Sequence, residues 1–386
     1  MRLQKNIYPN FLLKGLSIVL FSLFTTISCE EGETPDPNPP NPPQPPVETP
    51  KGSGIGEARD INSFDLVAEM GVGWNLGNSF DVTSRDKTFW GNPLPNKSII
   101  DVVRTMGFKT LRIPITWGFN QSAAAPYTIE NNYLAVVKKV VDYGFSNGMH
   151  VIINVHHDNE WSKPIATEAE EAKARLSSLW TQVSEYFKAY NDSLIFETLN
   201  EPRLEGSPEE WSGGTTEGRS FINDFHKAAV DAIRASGGNN AKRHIMIPTW
   251  AASTVQAAMD ELVIPNDDPK VIISLHTYFP WPFAGEANRG WGSDQDKADL
   301  EAEFDRIRQK WIVDEGRPVI LGEWGSVEEN PLNTRQEYAA FYAKEAAERD
   351  LLTIVWDDGG RFRLLNRRAL SWDFSNLAFT IVNNSQ

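Results

Sequence analysis

The chain has 386 residues and a formal charge of −15 at pH 7, and 40% of its residues are hydrophobic, which is enough for a large core. The acidic balance, with no basic stripe, argues against a nucleic-acid partner, because phosphate binding needs clustered lysine and arginine. The single cysteine, Cys29, excludes an intramolecular disulfide. Length alone would allow two or three domains, although an α/β barrel uses this much chain as one domain.

The first 28 residues have the features of an export signal. Basic residues precede an apolar run from Gly15 to Ile27, which is too short to span a bilayer. The run ends just before Cys29, and Thr26-Ile27-Ser28-Cys29 resembles a bacterial lipoprotein box. We therefore predict a lipoprotein-type signal peptide over residues 1–28 and lipidation of Cys29. The alternative is an ordinary thiol within a cleaved signal.

Residues 29–54 are predicted to form a proline-rich linker. Nine prolines fall between Pro35 and Pro50, a composition that favours a semi-rigid polyproline II spacer of roughly 3 Å per residue. The pair Glu30-Glu31 behind the cysteine resembles a surface-export signal of Bacteroidetes lipoproteins. We expect an outer-membrane lipoprotein that faces the cell surface, with a secreted or periplasmic protein as the alternative, and a folded domain over residues 55–386.

Past the linker, short apolar or β-branched runs alternate with amphipathic stretches, a pattern typical of repeated βα units. Eight runs are predicted as strands: 71–76, 110–115, 150–155, 194–199, 244–249, 271–275, 318–322 and 352–355. Helices are predicted between them, among them 129–146, 168–190, 217–235, 298–314 and 334–349. Eight βα units predict a single TIM (β/α)8 barrel, whose active site lies at the C-terminal ends of the strands.

Polar or aromatic residues stand at or near the ends of all eight predicted strands. One residue for each unit gives Asn75, Arg112, His156, Glu201, Trp250, His276, Glu323 and Trp356. Each has an ordinary explanation by itself, since a lone histidine is more often a core residue and Arg112 could pair with a helix carboxylate. A barrel places all eight strand ends in one ring. We therefore predict an active site at this ring.

Glu201 and Glu323 follow the fourth and seventh predicted strands. Strands about 4.8 Å apart with a tilt of about 36° give a barrel roughly 15 Å across, which places these two strand ends about 14 Å apart. Side chains that reach inward would leave about 5 Å between the carboxyl groups, the spacing of a retaining rather than an inverting glycosidase. Two unrelated, salt-bridged glutamates are the alternative.

Neighbouring residues suggest how the two carboxyl groups would differ. Arg112 is expected to hold Glu323 ionised, whereas a less paired and partly desolvated Glu201 would have a raised pKa and keep its proton. Tyr278 is expected to hydrogen-bond a carboxylate across the site. These expectations make Glu323 the nucleophile and Glu201 the proton donor.

Other residues suggest how a sugar would be bound. Asn200 can donate to a sugar hydroxyl beside the reacting carbon, and Trp356 can offer a flat apolar face to a sugar ring. Further tryptophans fall in loops after predicted strands, some of them as loop anchors: Trp90, Trp161, Trp211, Trp281 and Trp291. A cleft lined with tryptophan suits a long polysaccharide.

A set of motifs in fixed order resembles glycoside hydrolase family 5, the bacterial endoglucanases, in the subgroup that also contains xyloglucanases. The motifs are Gly73–Asn78, Leu111–Pro114, Asn154–Asp158, Leu199–Pro202, His276–Tyr278 and Ile320–Glu323. The resemblance implies a retaining mechanism with Glu201 as acid/base and Glu323 as nucleophile. The predicted substrate-binding or supporting residues are Asn75, Arg112, His156, His157, Asn200, His276, Tyr278, Trp281 and Trp356.

Two positions depart from the family pattern. Trp324 stands where such enzymes often have Phe, and Asp358 stands where Asn is usual, before an apparently shortened loop at 359–365. Both differences concern the expected sugar-binding subsites rather than the chemistry.

The resemblance predicts an endo-β-1,4-glucanase that hydrolyses cellulose-type or mixed-linkage β-glucan by double displacement. An endo-xyloglucanase or β-mannanase of the same fold and mechanism is the main alternative, and a non-catalytic glycan-binding lipoprotein is another. A metal-dependent barrel hydrolase would also use several histidines, but the chain lacks HExxH and the two glutamates would have no role. We expect a monomer with no metal and no cofactor, whose partners are a β-glucan and, through its lipid anchor, a membrane.

Overall fold

The computed structural model describes residues 54–385, which all belong to one unit of the chain, Pro45–Gln386. The predicted signal peptide, Cys29 and linker residues 29–53 lie outside the described part of the chain. Within residues 54–385, no helix has both the length and the apolar character needed to cross a membrane.

Eight parallel strands close into a barrel in chain order, and the last strand pairs with the first. The strands are β1 Gly73–Asn75, β2 Thr110–Ile113, β3 His150–Asn154, β4 Leu194–Glu197, β5 Ile245–Pro248, β6 Val271–His276, β7 Val319–Trp324 and β8 Leu351–Val355. The prediction of a TIM barrel is confirmed, and each predicted strand begins and ends within about two residues of the observed one. A small hairpin, β9 Leu365–Asn366 and β10 Ser371–Trp372, follows β8.

Helices accompany the strands along the chain. They are α1 Ser63–Met70, α2 Lys97–Met106, α3 Asn131–Ser146, α4 Ala169–Tyr186, α5 Thr216–Ala235, α6 Gln256–Asp260, α7 Trp281–Ala284, α8 Asp294–Arg308, α9 Leu332–Ala347 and α10 Ser375–Asn384. The helix predicted over 298–314 begins earlier, because Ser293 and Asp296 form a capping box that satisfies the first backbone N–H groups of α8. Its final part is a separate π-helix, Gln309–Asp314.

The barrel is filled from its N-terminal end. Six strands each contribute one buried apolar side chain to an inner cluster: Ile152, Ile195, Met246, Ile272, Ile320 and Ile354. Helix α1 packs on this cluster through Leu66, Val67 and Met70. Asn62 caps the start of α1 by accepting the Asp65 N–H, and the chain turns away at Gly71, whose φ of 59° favours glycine. This packing fills the N-terminal end and leaves the C-terminal end for polar groups.

Candidate active site

Seven of the eight strand-end residues lie in one contact network at the C-terminal end of the barrel. The exception is Trp250, which is buried against Gly214 and Gly218 and donates its indole N–H to the backbone oxygen of Glu210. The loop after β4 covers the Trp250 indole. The prediction that Trp250 lines the active site with the other strand-end residues is therefore wrong.

Glu323 is fixed by groups on two other strands. Its Oε1 accepts a hydrogen bond of 2.8 Å from Arg112 Nη1, and its Oε2 accepts one of 3.0 Å from the Tyr278 hydroxyl. The register between β6 and β7 shifts at this point, so that His276 lies directly beside Glu323. Gly322 leaves room for the imidazole, because a Cβ there would lie 3.1 Å from His276 Nε2.

Arg112 is fully buried and uses its guanidinium to join four side chains. Besides Glu323, it donates to Asn75 Oδ1 at 2.9 Å, Asn200 Oδ1 at 2.7 Å and Glu197 Oε2 at 2.8 Å. Asn75 is fully buried and also donates to the Gly322 backbone oxygen, so it supports Arg112. The carbonyl of Asn200 faces Arg112, and its amide N–H groups therefore remain for another partner.

Glu201 follows β4 and is more accessible than Glu323. Its Oε1 lies 2.8 Å from His276 Nδ1, and 18% of its side chain is exposed compared with 7% for Glu323. Arg203 donates to the Glu201 backbone oxygen at 2.9 Å and approaches Oε2 at 3.4 Å. One carboxylate oxygen of each glutamate and a His276 ring nitrogen all lie within 4.8 Å of one another.

Burial raises the pKa of both glutamates, and their neighbours decide the net direction. For Glu323, burial and the like charge of Glu201 outweigh His276 and Arg112, so its pKa lies above the ordinary value. For Glu201, burial is outweighed by the hydrogen bond with His276 and by electrostatic interactions with His276 and Arg203, so its pKa lies below the ordinary value. The expected raised pKa of Glu201 is therefore wrong for the free enzyme, because the sequence did not indicate its contacts with His276 and Arg203. Arg112 lowers the pKa of Glu323 as expected, but burial and Glu201 outweigh it.

A second wall of the site is formed by His156 and Trp356. Their rings are parallel with centroids 5.9 Å apart. Burial lowers the pKa of His156 well below its usual range, so the ring is neutral. His157 is half-buried and contacts Trp90 edge-on, with centroids 5.7 Å apart.

The predicted loop tryptophans separate into exposed and anchoring residues. Trp211 and Trp281 are 62% and 52% exposed, and Trp281 contacts Tyr278 edge-on. Trp161 is half-buried and bonds Asp158, while Trp291 packs on Tyr338 and Phe341 in the core. The exposed residues fit a substrate-binding role, and Trp161 and Trp291 are loop anchors.

The two departures from the family pattern have different consequences. Trp324 is fully buried and stacks on Tyr342 with centroids 4.1 Å apart, so it does not line the cleft. Asp358 is half-buried and accepts the backbone N–H groups of Gly360 and Phe362. It therefore shapes the turn after β8.

Three residues of the site were not predicted from the sequence. Glu197 ends β4, and nothing in the sequence of a strand indicates which buried donors a residue meets. Arg203 directly follows the motif Leu199–Pro202, and a basic residue two positions beyond a proposed acid could have been taken as its partner. Asn154 lies in the motif Asn154–Asp158, but the motif does not indicate its contact with Glu197.

Two groups within residues 54–385 have the composition of a metal site. One is Asp81, His156 and His157, and the other is the pair of glutamates with His276. The second group is the predicted catalytic pair itself. The absence of a metal or cofactor from the reaction therefore stays a prediction.

Comparison with known proteins agrees with the motifs. The family model Cellulase (glycosyl hydrolase family 5) matches residues 75–361. The chain is 46% identical over 326 residues to Endoglucanase B of Clostridium cellulovorans, an alignment that covers 81% of this chain and 74% of the relative. Some curated relatives are longer, and the chain spans 41% of one and 65% of another.

Solved structures give the same result. ZgEngAGH5_4 in complex with a cellotriose is 47% identical with a TM-score of 0.84, over 85% of this chain and 100% of that one. The GH5-4 broad specificity endoglucanase from Clostridium acetobutylicum is 43% identical with a TM-score of 0.82, over 84% of this chain and 100% of that one. The predicted resemblance is confirmed, and the chain belongs to the cellulases of glycosyl hydrolase family 5.

Proposed function

We propose that the protein is a retaining endo-β-1,4-glucanase in which Glu323 is the nucleophile and Glu201 the acid/base. The main support is the approach of the two carboxylates to within 4.8 Å of each other at the C-terminal end of the barrel. Inverting glycosidases separate their carboxyl groups by roughly 6.5–9.5 Å to admit a water molecule, whereas retaining enzymes hold them about 5–5.5 Å apart.

In the first step, a Glu323 oxygen forms a bond to the anomeric carbon while the bond to the leaving oxygen breaks and Glu201 donates its proton to that oxygen. Arg112 and Tyr278 hold the Glu323 carboxylate in place by donating to its two oxygens. In the second step, Glu201 removes a proton from water, which attacks the anomeric carbon and releases Glu323 with overall retention.

To donate a proton in the first step, Glu201 must have a higher pKa in the complex with substrate than in the free enzyme. A glycosidic oxygen that accepts a hydrogen bond from Glu201 takes the place of His276 as its partner. This substitution weakens the main interaction that lowers the Glu201 pKa and leaves burial, which raises it. Ionised Glu323 adds to this effect, because two close carboxylates favour one shared proton.

Groups around the two glutamates are suited to bind sugar. The amide N–H groups of Asn200 are free to meet a hydroxyl, since its carbonyl accepts from Arg112. Trp356, half-buried beside His156, offers an aromatic face. Three exposed tryptophans, which follow three different barrel strands, support binding of a long chain and internal cleavage: Trp90, Trp211 and Trp281. One chain carries every group named here, so a monomer suffices.

The test is hydrolysis of a panel of barley β-glucan, carboxymethylcellulose, xyloglucan and glucomannan, with the anomeric configuration of the first product followed by NMR. We expect the β-anomer first and the highest rates on β-glucan and carboxymethylcellulose. Preference for xyloglucan or glucomannan would support the alternative substrate classes. An α-anomer as first product would contradict the assigned mechanism.

We also propose that the enzyme is attached to the outer face of the outer membrane by a lipid on Cys29, with residues 29–54 as the tether. The lipoprotein-like stretch Thr26–Cys29 and the nine prolines between Pro35 and Pro50 support this location. Cys29→Ser should move an active enzyme from the membrane fraction to the soluble fraction. External protease should release wild-type activity from intact cells. Wild-type activity that is already soluble in the medium would contradict the anchor.

A further inference from the structure

Glu197 lies in the barrel interior and touches three side chains on three other strands. It is fully buried, and its carboxylate accepts from Arg112 at 2.8 Å, from Asn154 Nδ2 at 2.9 Å and from Ser274 Oγ at 2.6 Å. Neither proposed catalytic step uses Glu197. We call Glu197, Arg112, Asn154 and Ser274 the Glu197 network.

One branch of the network leads to the nucleophile. Arg112 binds Glu197 through Nε and Glu323 through Nη1, so that a single rigid guanidinium joins the two carboxylates. The same guanidinium donates to the Asn200 carbonyl oxygen at 2.7 Å and thereby turns the Asn200 amide toward the cleft. A change in the position of Glu197 would therefore move both the nucleophile and a sugar-binding donor.

The other branch leads to His156. Asn154 Oδ1 accepts the backbone N–H of Ile115 at 3.0 Å, which fixes the orientation of its amide. Its Nδ2 then faces both Glu197 and His156 Nδ1, the latter at 3.2 Å. Because Nδ1 of the neutral ring accepts this hydrogen bond, the ring proton resides on Nε2. Glu197 thus helps to select the tautomer of His156.

The network also carries a charge that acts on the nucleophile. Arg112 lies between two carboxylates, so Glu197 offsets part of the positive charge that Glu323 experiences. The other titratable or charged groups that face Glu323 come from β3, β4 and β6: His157, Glu201, His276 and Tyr278. Loss of the Glu197 charge would leave the positive charge of Arg112 less offset, stabilise ionised Glu323 and make it a weaker nucleophile.

We propose that Glu197 is a positioning residue for glycosyl transfer, which orients Asn200 and His156 toward the sugar and moderates the charge that Arg112 presents to Glu323. This inference rests on the proposed retaining glucanase function. It adds a residue that acts through others and does not touch the substrate.

The experiment compares Glu197→Gln with wild type on an aryl β-cellobioside with a good leaving group. Gln keeps the shape of Glu, since its carbonyl accepts from Arg112 and Asn154 and its amide donates to Ser274. We expect kcat/KM to fall at least about tenfold. In the pH profile of kcat/KM, the acidic limb should move about one pH unit lower, because a lower Glu323 pKa extends ionisation of Glu323 to lower pH. Glu197→Asp keeps the charge and should retain the wild-type limb while losing rate.

Asp192→Asn is the matched control. Asp192 is a buried carboxylate just before β4, paired with Arg59 at 2.6 Å and remote from the site. It should lower thermal stability without changing the acidic limb. An unchanged limb and rate in Glu197→Gln, or changes equal to those of Asp192→Asn, would overturn the proposal. If Glu197→Gln does not fold, Glu197→Asp decides the test. A shifted acidic limb in Glu197→Asp would overturn the proposal, whereas a wild-type acidic limb with reduced kcat would support it. A wild type that inverts or is inactive would instead refute the proposed function.

Discussion

The two glutamates proposed as catalytic are held by different kinds of structure. Glu323 lies within β7 and accepts hydrogen bonds from Arg112 on β2 and from Tyr278 just beyond β6. Arg112 is itself fixed by buried Asn75 and Glu197. The proposed nucleophile is therefore attached to the barrel through Arg112, a buried partner whose own hydrogen bonds are satisfied.

Glu201 lies beyond the end of β4 and depends on a loop. Arg203 contacts Glu201 and also binds Glu210 at 3.0 Å and stacks on exposed Trp211, 4.5 Å from its ring centre. The acid/base thus shares its support with a surface residue. This difference suits the chemistry, because the nucleophile always meets the same anomeric carbon whereas the acid/base meets different leaving groups and then water.

The largest expected difference between the two regions appears when each glutamate is removed. Glu323→Ala should lose on the order of 10⁴-fold or more of kcat on every substrate, since no covalent intermediate can form. Glu201→Ala should lose a similar factor on β-glucan but much less on an aryl glycoside with a good leaving group, which needs no proton. Initial rates on both substrates measure the effect.

Added azide tests the same assignment by product structure. Glu323→Ala should give an α-glycosyl azide and Glu201→Ala a β-glycosyl azide, because azide enters the space left by each carboxylate. Exchange of the two products would reverse the roles. Formation of the β-azide by both variants would contradict a catalytic role for Glu323.

Arginine substitutions should distinguish the buried barrel contacts of Glu323 from the loop contacts of Glu201. Arg112→Met leaves Glu197 and Glu323 as buried, unpaired charges, so we expect a loss of about 3–5 kcal/mol in unfolding free energy together with most activity. Arg203→Met removes contacts to more accessible carboxylates and should cost about 1 kcal/mol or less. Thermal unfolding and kcat/KM give the two readouts. Equal stability losses would show that the loop is as essential to the fold as the barrel network.

The sequence predicted the positions of those site residues that lie at the ends of regular strands. Strand ends are set by apolar periodicity, so Arg112, His276 and Glu323 were placed correctly in one ring. The contacts of Glu201 were not predicted, because Arg203 reaches back from a loop whose course no periodic pattern indicates. Trp250 was misplaced for the same reason, since Gly214 and Gly218 let the loop after β4 pack over its ring. The predicted direction of the Glu201 pKa shift was wrong because it depends on distances between side chains from different strands and loops.

A pH profile can measure how strongly the two regions interact. The charge of Glu201 raises the pKa of Glu323, so Glu201→Gln should lower that pKa and move the acidic limb of kcat/KM to lower pH. The basic limb should disappear, because no acid remains to titrate. An aryl glycoside with a good leaving group keeps glycosylation measurable. An acidic limb that stays in place would mean that the two carboxylates do not interact across the cleft.

The smallest effect is expected at Trp324, which follows the proposed nucleophile in β7. Its indole stacks on Tyr342, and its Nε1 has no hydrogen-bond partner among residues 54–385. Trp324→Phe loses contact area, but it also removes a buried, unpaired N–H that costs about 1–3 kcal/mol. These effects oppose each other, so unfolding free energy should change by less than about 1.5 kcal/mol, with KM unchanged. Trp356→Phe, in the cleft, should instead reduce kcat/KM. A raised KM in the single variant Trp324→Phe would show that position 324 shapes a sugar subsite after all.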